Sequence, residues 1–167
     1  MLDVLHKIKK GMTSALNWVL IVTVLLLVLD VVWGVFTRHI LNAQASWTEE
    51  LARFLLVWVS LLGGAVAFGT KGHLGVDYFV GKFCPETRRL MAVVVHLVVL
   101  FFAAGIFVFG GGCVVSDALT MEQMTPALGW KMGYVYLALP ISGIFMVLYT
   151  IENLIETLAA SVVGEVE

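Results

Sequence analysis

The segment Leu16–Phe36 reads LNWVLIVTVLLLVLDVVWGVF, 21 residues with one charge, Asp30. About 20 predominantly apolar residues, rising about 1.5 Å each, cross the roughly 30 Å hydrocarbon core of a bilayer. Lipid offers the backbone no hydrogen bonds, so only helices and closed barrels span it. Barrel strands alternate apolar and polar residues, and this segment is a continuous apolar run broken only by the charge of Asp30, with no alternation, so it reads as a helix. Three further runs have the same character. Spans are expected at about 16–37, 50–70, 89–115 and 131–154, forming a single four-helix transmembrane domain over 1–167. The expected fold class is an all-α integral membrane protein.

Composition agrees. The chain is 60% hydrophobic and 13% charged over 167 residues, with mean hydropathy +0.99. A soluble fold is about half apolar and a quarter charged, and at this length it could not bury the excess. A net charge of −2 without a basic patch gives no reason to expect nucleic acid. Cys84 and Cys113 are far apart and form no metal or redox motif.

Ahead of the first span, Leu5, Ile8 and Met12 recur at helical spacing opposite Lys7, Lys9 and Lys10. That pattern predicts a short amphipathic helix on the membrane surface. The lysines, together with Ala43-Gln44-Ala45, imitate a signal peptide. A signal h-region has only about 7–15 apolar residues, so an uncleaved anchor is expected. Between spans two and three, Val76, Phe79, Val80 and Phe83 predict a second interfacial helix, stopped before Pro85. Seven of the ten basic residues lie in the N-terminus and this connector: Lys7, Lys9, Lys10, Lys71, Lys82, Arg88 and Arg89. The positive-inside rule then puts both termini in the cytoplasm. The connectors over 38–50 and 116–131 face outward, the latter long enough for a small cap.

Asp30 is the polar residue least at home in a span, and it needs a partner or a water-filled route. Arg53 is the nearest basic candidate. An interhelical ion pair, a protonated acid hydrogen-bonded to a neighbour, or a proton or ion relay fits. Glu49 and Glu50 lie four and three residues before Arg53, spacings that permit pairing on one helix face. Helix capping accounts for the acids, but not for Trp47 and Arg53 beside them, which point to a docking surface. His96 sits alone in span three, and a transmembrane haem needs two facing histidines, so a packing role is expected and no cofactor. Ser60-xxx-Gly64 and Gly63-xxx-Ala67 in span two are small-xxx-small pairs, which let helices approach closely. No nucleophile–base set or carboxylate dyad suggests an enzyme.

These residues carry a resemblance. Phe36-Thr37-Arg38, Trp47-Thr48-Glu49-Glu50-Leu51-Ala52-Arg53, Trp58, Leu62-Gly63-Gly64-Ala65 and His73 with Val76-Asp77 form its first part. Thr125-Pro126-Ala127-Leu128-Gly129-Trp130, then Tyr134 and Pro140, form its second. Together they resemble the small, DctQ-like membrane subunit of TRAP (tripartite ATP-independent periplasmic) transporters, over nearly the whole chain. Asp30 is outside that pattern.

The resemblance implies a non-catalytic scaffold in a bacterial inner membrane. Its partners would be a large, sodium-coupled, elevator-type membrane subunit and a periplasmic binding protein that captures an organic acid. Trp47, Glu49, Glu50 and Arg53, with Ser60, Gly63, Gly64 and Ala67, are then the expected subunit-packing residues. Lys71, Lys82, Arg88 and Arg89 are expected at phospholipid headgroups. The alternative is a self-contained homo-oligomeric transporter or channel with Asp30 as its coupling site.

Overall fold

The computed structural model describes residues 2–41, 45–69 and 85–163. Among them lie α1 (Leu2–Ile40), α2 (Ser46–Gly69), α3 (Pro85–Phe102), a π-helical segment (Ala103–Gly110), α4 (Gly111–Thr120), α5 (Met132–Tyr136) and α6 (Ala138–Val163). Among the described residues four stretches are long and apolar enough to cross a membrane: Lys10–Ile40, Ser46–Gly69, Leu90–Thr120 and Met132–Ile155. The chain is an all-α, multi-pass membrane protein.

Two features differ in detail from the expected layout. The N-terminal segment is continuous with the first span in one helix of 39 residues, because no proline interrupts it. The third span runs on to Thr120 through the π segment. The interfacial helix expected over 73–83 lies outside the described residues, as do Lys71, Lys82 and Cys84. Arg88 and Arg89 fall in α3, and their side chains are likewise outside the description. Pro85 opens α3, where a missing N–H costs nothing.

The helices pack in a sequence of neighbours. α1 packs on α2, α2 on α6, and α6 on α3 and the π segment. The core is small: Leu16, Leu62 and Ala65, flanked by Leu20, Trp58, Val66, Ile141, Phe145 and Met146. Most of α1 is exposed, including Trp18, Leu25, Leu29 and Trp33, as suits a helix bathed in lipid tails.

Small residues set the closest approaches. A Cβ on Gly143 of α6 would stand 2.6 Å from the Phe107 Cβ of the π segment. A Cβ on Gly111 would stand 2.9 Å from the Leu139 Cβ. The π segment keeps this seam in register. Ala103, Phe107, Gly111 and Val115 recur every four residues, and a straight α-helix would turn them about 40° further at each step. Wider π winding takes more residues per turn and offsets that drift. Pro140 sits in the first turn of α6, just past the break at Leu137, where proline is tolerated.

At the end of the bundle away from residues 121–131, Gly69 closes α2 against Tyr149. A Cβ there would lie 2.8 Å from the tyrosine ring. The Tyr149 hydroxyl is 3.0 Å from Thr13 Oγ1. One aromatic side chain thus joins α1, α2 and α6.

Candidate functional site

Successive helical residues turn by about 100°, so Trp47, Thr48, Glu49 and Glu50 leave α2 in four directions. Thr48 is buried toward α1, its Oγ1 lying 3.2 Å from where a Gly34 Cβ would sit. Its hydroxyl donates to the Ala45 carbonyl at 2.8 Å. Trp47 is partly exposed, at 39%. Glu49 is exposed beside a cleft shared with α1. Glu50 turns into the protein, with 8% exposure.

Glu50 meets the segment after α4. Its Oε2 accepts the backbone N–H of both Ala127 and Leu128, each at 2.8 Å. Successive backbone amides in a turn form a ready anion site, and bonds to an ionised acceptor are the strong ones. The segment is built to present them. The Thr125 N–H donates to the Trp130 carbonyl at 2.8 Å, and Trp130 N–H donates to Thr125 Oγ1 at 2.9 Å. Gly129 turns with φ +65°, a region few other residues enter cheaply. Its N–H closes on the Thr125 carbonyl at 3.1 Å, and Met132 N–H reaches the Gln123 carbonyl at 2.8 Å. The cap is therefore an internally hydrogen-bonded loop that presents the Ala127 and Leu128 amides to Glu50. The Lys131–Glu122 pair, at 3.8 Å and exposed, adds little.

The two motifs read separately in the sequence are here one site. Glu50 and Leu128 are 78 residues apart. The sequence reading grouped Glu50 with Glu49 and Arg53; the structure turns it to the cap instead.

α2 has two unlike faces. Thr48, Glu50, Phe54, Leu62, Ala65 and Gly69 are buried. Glu49, Arg53, Leu56, Ser60, Gly64 and Ala67 are exposed and follow one another at three- and four-residue steps. A Cβ on Gly64 would meet nothing within 4 Å. Gly63 is different: its Cβ would touch Leu20 of α1 at 3.9 Å. Of the four small residues, three lie outward and one faces the bundle.

Asp30 is buried in α1 at 7% exposure. Among the described residues neither of its carboxyl oxygens has a hydrogen-bond partner, which corrects the expected pairing with Arg53. Arg53 lies on the exposed face of α2, while Asp30 lines the cleft with Gly34, Arg38, Thr48, Glu49 and Ala52. His96 bonds within its own helix, Nδ1 donating to the Ala92 carbonyl at 2.6 Å.

The sequence reading passed over the polar end of α6. Tyr149, Thr150, Glu152 and Asn153 are all buried there. The signal was present, since Tyr149 and Thr150 precede Glu152-Asn153 at the end of an apolar run. Among the described residues, no group of three His, Cys, Asp or Glu is placed to hold a metal.

Residues 27–160 match the family described as tripartite ATP-independent periplasmic transporters, DctQ component. The sialic acid TRAP transporter small permease protein SiaQ of Vibrio cholerae is 30% identical over 122 residues, 73% of this chain and 69% of its own length. A putative TRAP transporter small permease protein of Haemophilus influenzae is 27% identical over 162 residues, 97% of this chain and 96% of the relative. The isethionate TRAP transporter permease protein DctMQ of Oleidesulfovibrio alaskensis is 30% identical over 112 residues, which cover 67% of this chain but 18% of that longer protein. With four spans, a cap clamped by Glu50 and a family match over most of its length, the chain belongs to the DctQ component family of tripartite ATP-independent periplasmic transporters.

Proposed function

We propose that this chain is the fixed scaffold of a sodium-coupled TRAP transporter for an organic acid, a transporter component and not an enzyme. One observation carries the reading: α2 keeps a whole face outside the bundle, with Glu49 and Arg53 at its head and Ser60, Gly64 and Ala67 below. Lipid tails gain nothing from small residues, whereas a helix packed there approaches closely. The occupant we infer is the large permease subunit. The match to about a fifth of a single longer permease protein supports this. The relatives named for sialic acid and isethionate support an acidic substrate.

In this reading both termini are cytoplasmic and the cap faces the periplasm. Trp47, Glu49 and Arg53 then stand where a periplasmic binding protein arrives. Lys71, Lys82, Arg88 and Arg89 hold phospholipid headgroups on the other side. The scaffold has no substrate site, and it enlarges the stationary part against which the large subunit moves.

The test is recovery of the large subunit on the tagged small one, with uptake measured in parallel. Gly64→Leu fills the stripe without touching the bundle, so it should fold normally, lose the large subunit and abolish uptake. Arg53→Glu should reduce recovery more than Lys82→Glu. Normal uptake by the large subunit and binding protein without this chain would defeat the scaffold role.

A further inference from the structure

We propose that Asp30 is the receptor for a hydrogen-bond donor side chain (an amine, guanidinium or amide) inserted by the large permease subunit. The proposal rests on the subunit reading above. A carboxyl at membrane depth is tolerated only with a partner, a protein-lined cavity or water. Asp30 is more than nine-tenths buried, and among the described residues neither oxygen has a partner. The nearby hydroxyls are engaged elsewhere: Thr37 Oγ1 donates to the Gly34 carbonyl at 3.0 Å, and Thr48 Oγ1 to the Ala45 carbonyl at 2.8 Å.

Asp30 is one of the residues lining a cleft of about 180 Å³ between α1 and α2, room for one long side chain, with its carboxyl oxygens beneath the cleft surface. Its ionisable lining is Asp30, Glu49 and Arg38, two acids to one base, and that base stands about two turns of α1 from Asp30. Glu49 lines the cleft and also heads the exposed stripe of α2. A partner helix lying on Ser60, Gly64 and Ala67 therefore runs up to the cleft mouth. Depth favours a protein donor over a lipid headgroup. Arg38 and Glu49 mark the mouth, and Asp30 lies eight residues below Arg38 on α1, about 12 Å along the helix.

The experiment uses the complete small and large subunits with Asp30→Leu and Asp30→Asn. Two readouts are compared: thermal unfolding of the small subunit alone, and recovery of the large subunit on it. Alone, Asp30→Leu should unfold at or above the wild-type temperature, because an unpartnered acid is gone. In the complex it should lower recovery about three- to tenfold, the range of one interhelical hydrogen bond. Asp30→Asn, which keeps an acceptor, should fall between. Full recovery with Asp30→Leu would overturn the proposal. So would equal destabilisation of the isolated chain, which would place the partner within it. Stabilisation of the isolated wild type, but not Asp30→Leu, by phosphatidylethanolamine nanodiscs over phosphatidylglycerol ones would assign the site to a lipid ammonium and also overturn it. If wild type fails to retain the large subunit, the subunit reading itself falls and takes this proposal with it.

Discussion

Glu49 and Glu50 are chemically alike and adjacent, yet about 100° of helix separates their surroundings. Glu49 stands exposed at the cleft, whereas Glu50 is buried on two amides of the cap. Removing the partner of these part-buried amides costs some of their desolvation as well as the bonds. Glu50→Ala should therefore destabilise the chain by about 2–4 kcal/mol, read from thermal unfolding in detergent. Hydrogen exchange at Ala127 and Leu128 should quicken in the same variant. Glu50→Gln keeps a carbonyl acceptor and should lose roughly half as much. Tyr149 is the matching single-residue lock at the other end. Gly69→Ala drives a methyl into its ring, an overpacking worth about 1–3 kcal/mol.

At the scale of elements, the glycines of α2 and α6 share a residue type and differ in surroundings. Gly143 faces Phe107 so closely that a methyl has no room. Gly64 faces open space. Gly143→Ala should lower the stability of the isolated chain by about 1–3 kcal/mol. Gly64→Ala should raise it by about 0.5 kcal/mol, since alanine costs a helix less entropy. Opposite shifts in the unfolding temperature would establish which face is internal. A short-range sequence pattern cannot separate these cases. Ser60-xxx-Gly64 and Gly63-xxx-Ala67 look equivalent as strings, but Gly63 touches Leu20 while Gly64 does not. The same holds for the π segment, whose residues are ordinary for an apolar α-helix and whose winding answers to the seam with α6.

For the whole molecule, the small core and the widely exposed α1 set what this chain does alone. At 39 residues α1 is about 58 Å long, nearly twice a hydrocarbon core of about 30 Å. It must tilt or project beyond the membrane. Vesicles containing this chain alone should show no substrate or proton flux above lipid background, and Asp30→Asn should leave that baseline unchanged. Flux with the wild type that vanished in Asp30→Asn would restore the small-channel alternative. The four spans were legible in the chain because twenty apolar residues in lipid have one economical backbone solution. The cap was legible only as two motifs, since nothing local states that Glu50 will face residues 77 and 78 positions later.

Hydrophobic run length and composition alone made this a four-span helical membrane protein, and its motifs pointed to the family. Both are local properties: they depend on how a residue meets lipid or its own helix turn, and neighbours hundreds of atoms away do not alter them. Tertiary structure decided the rest: that Glu50 binds the cap, that Asp30 has no partner among the described residues, and that the small-residue stripe of α2 points away from the bundle. Those outcomes depend on the rotation of each helix against its neighbour. That rotation is set by the fit of side chains such as Thr48 against Gly34 and Tyr149 against Gly69, contacts between residues remote in the chain.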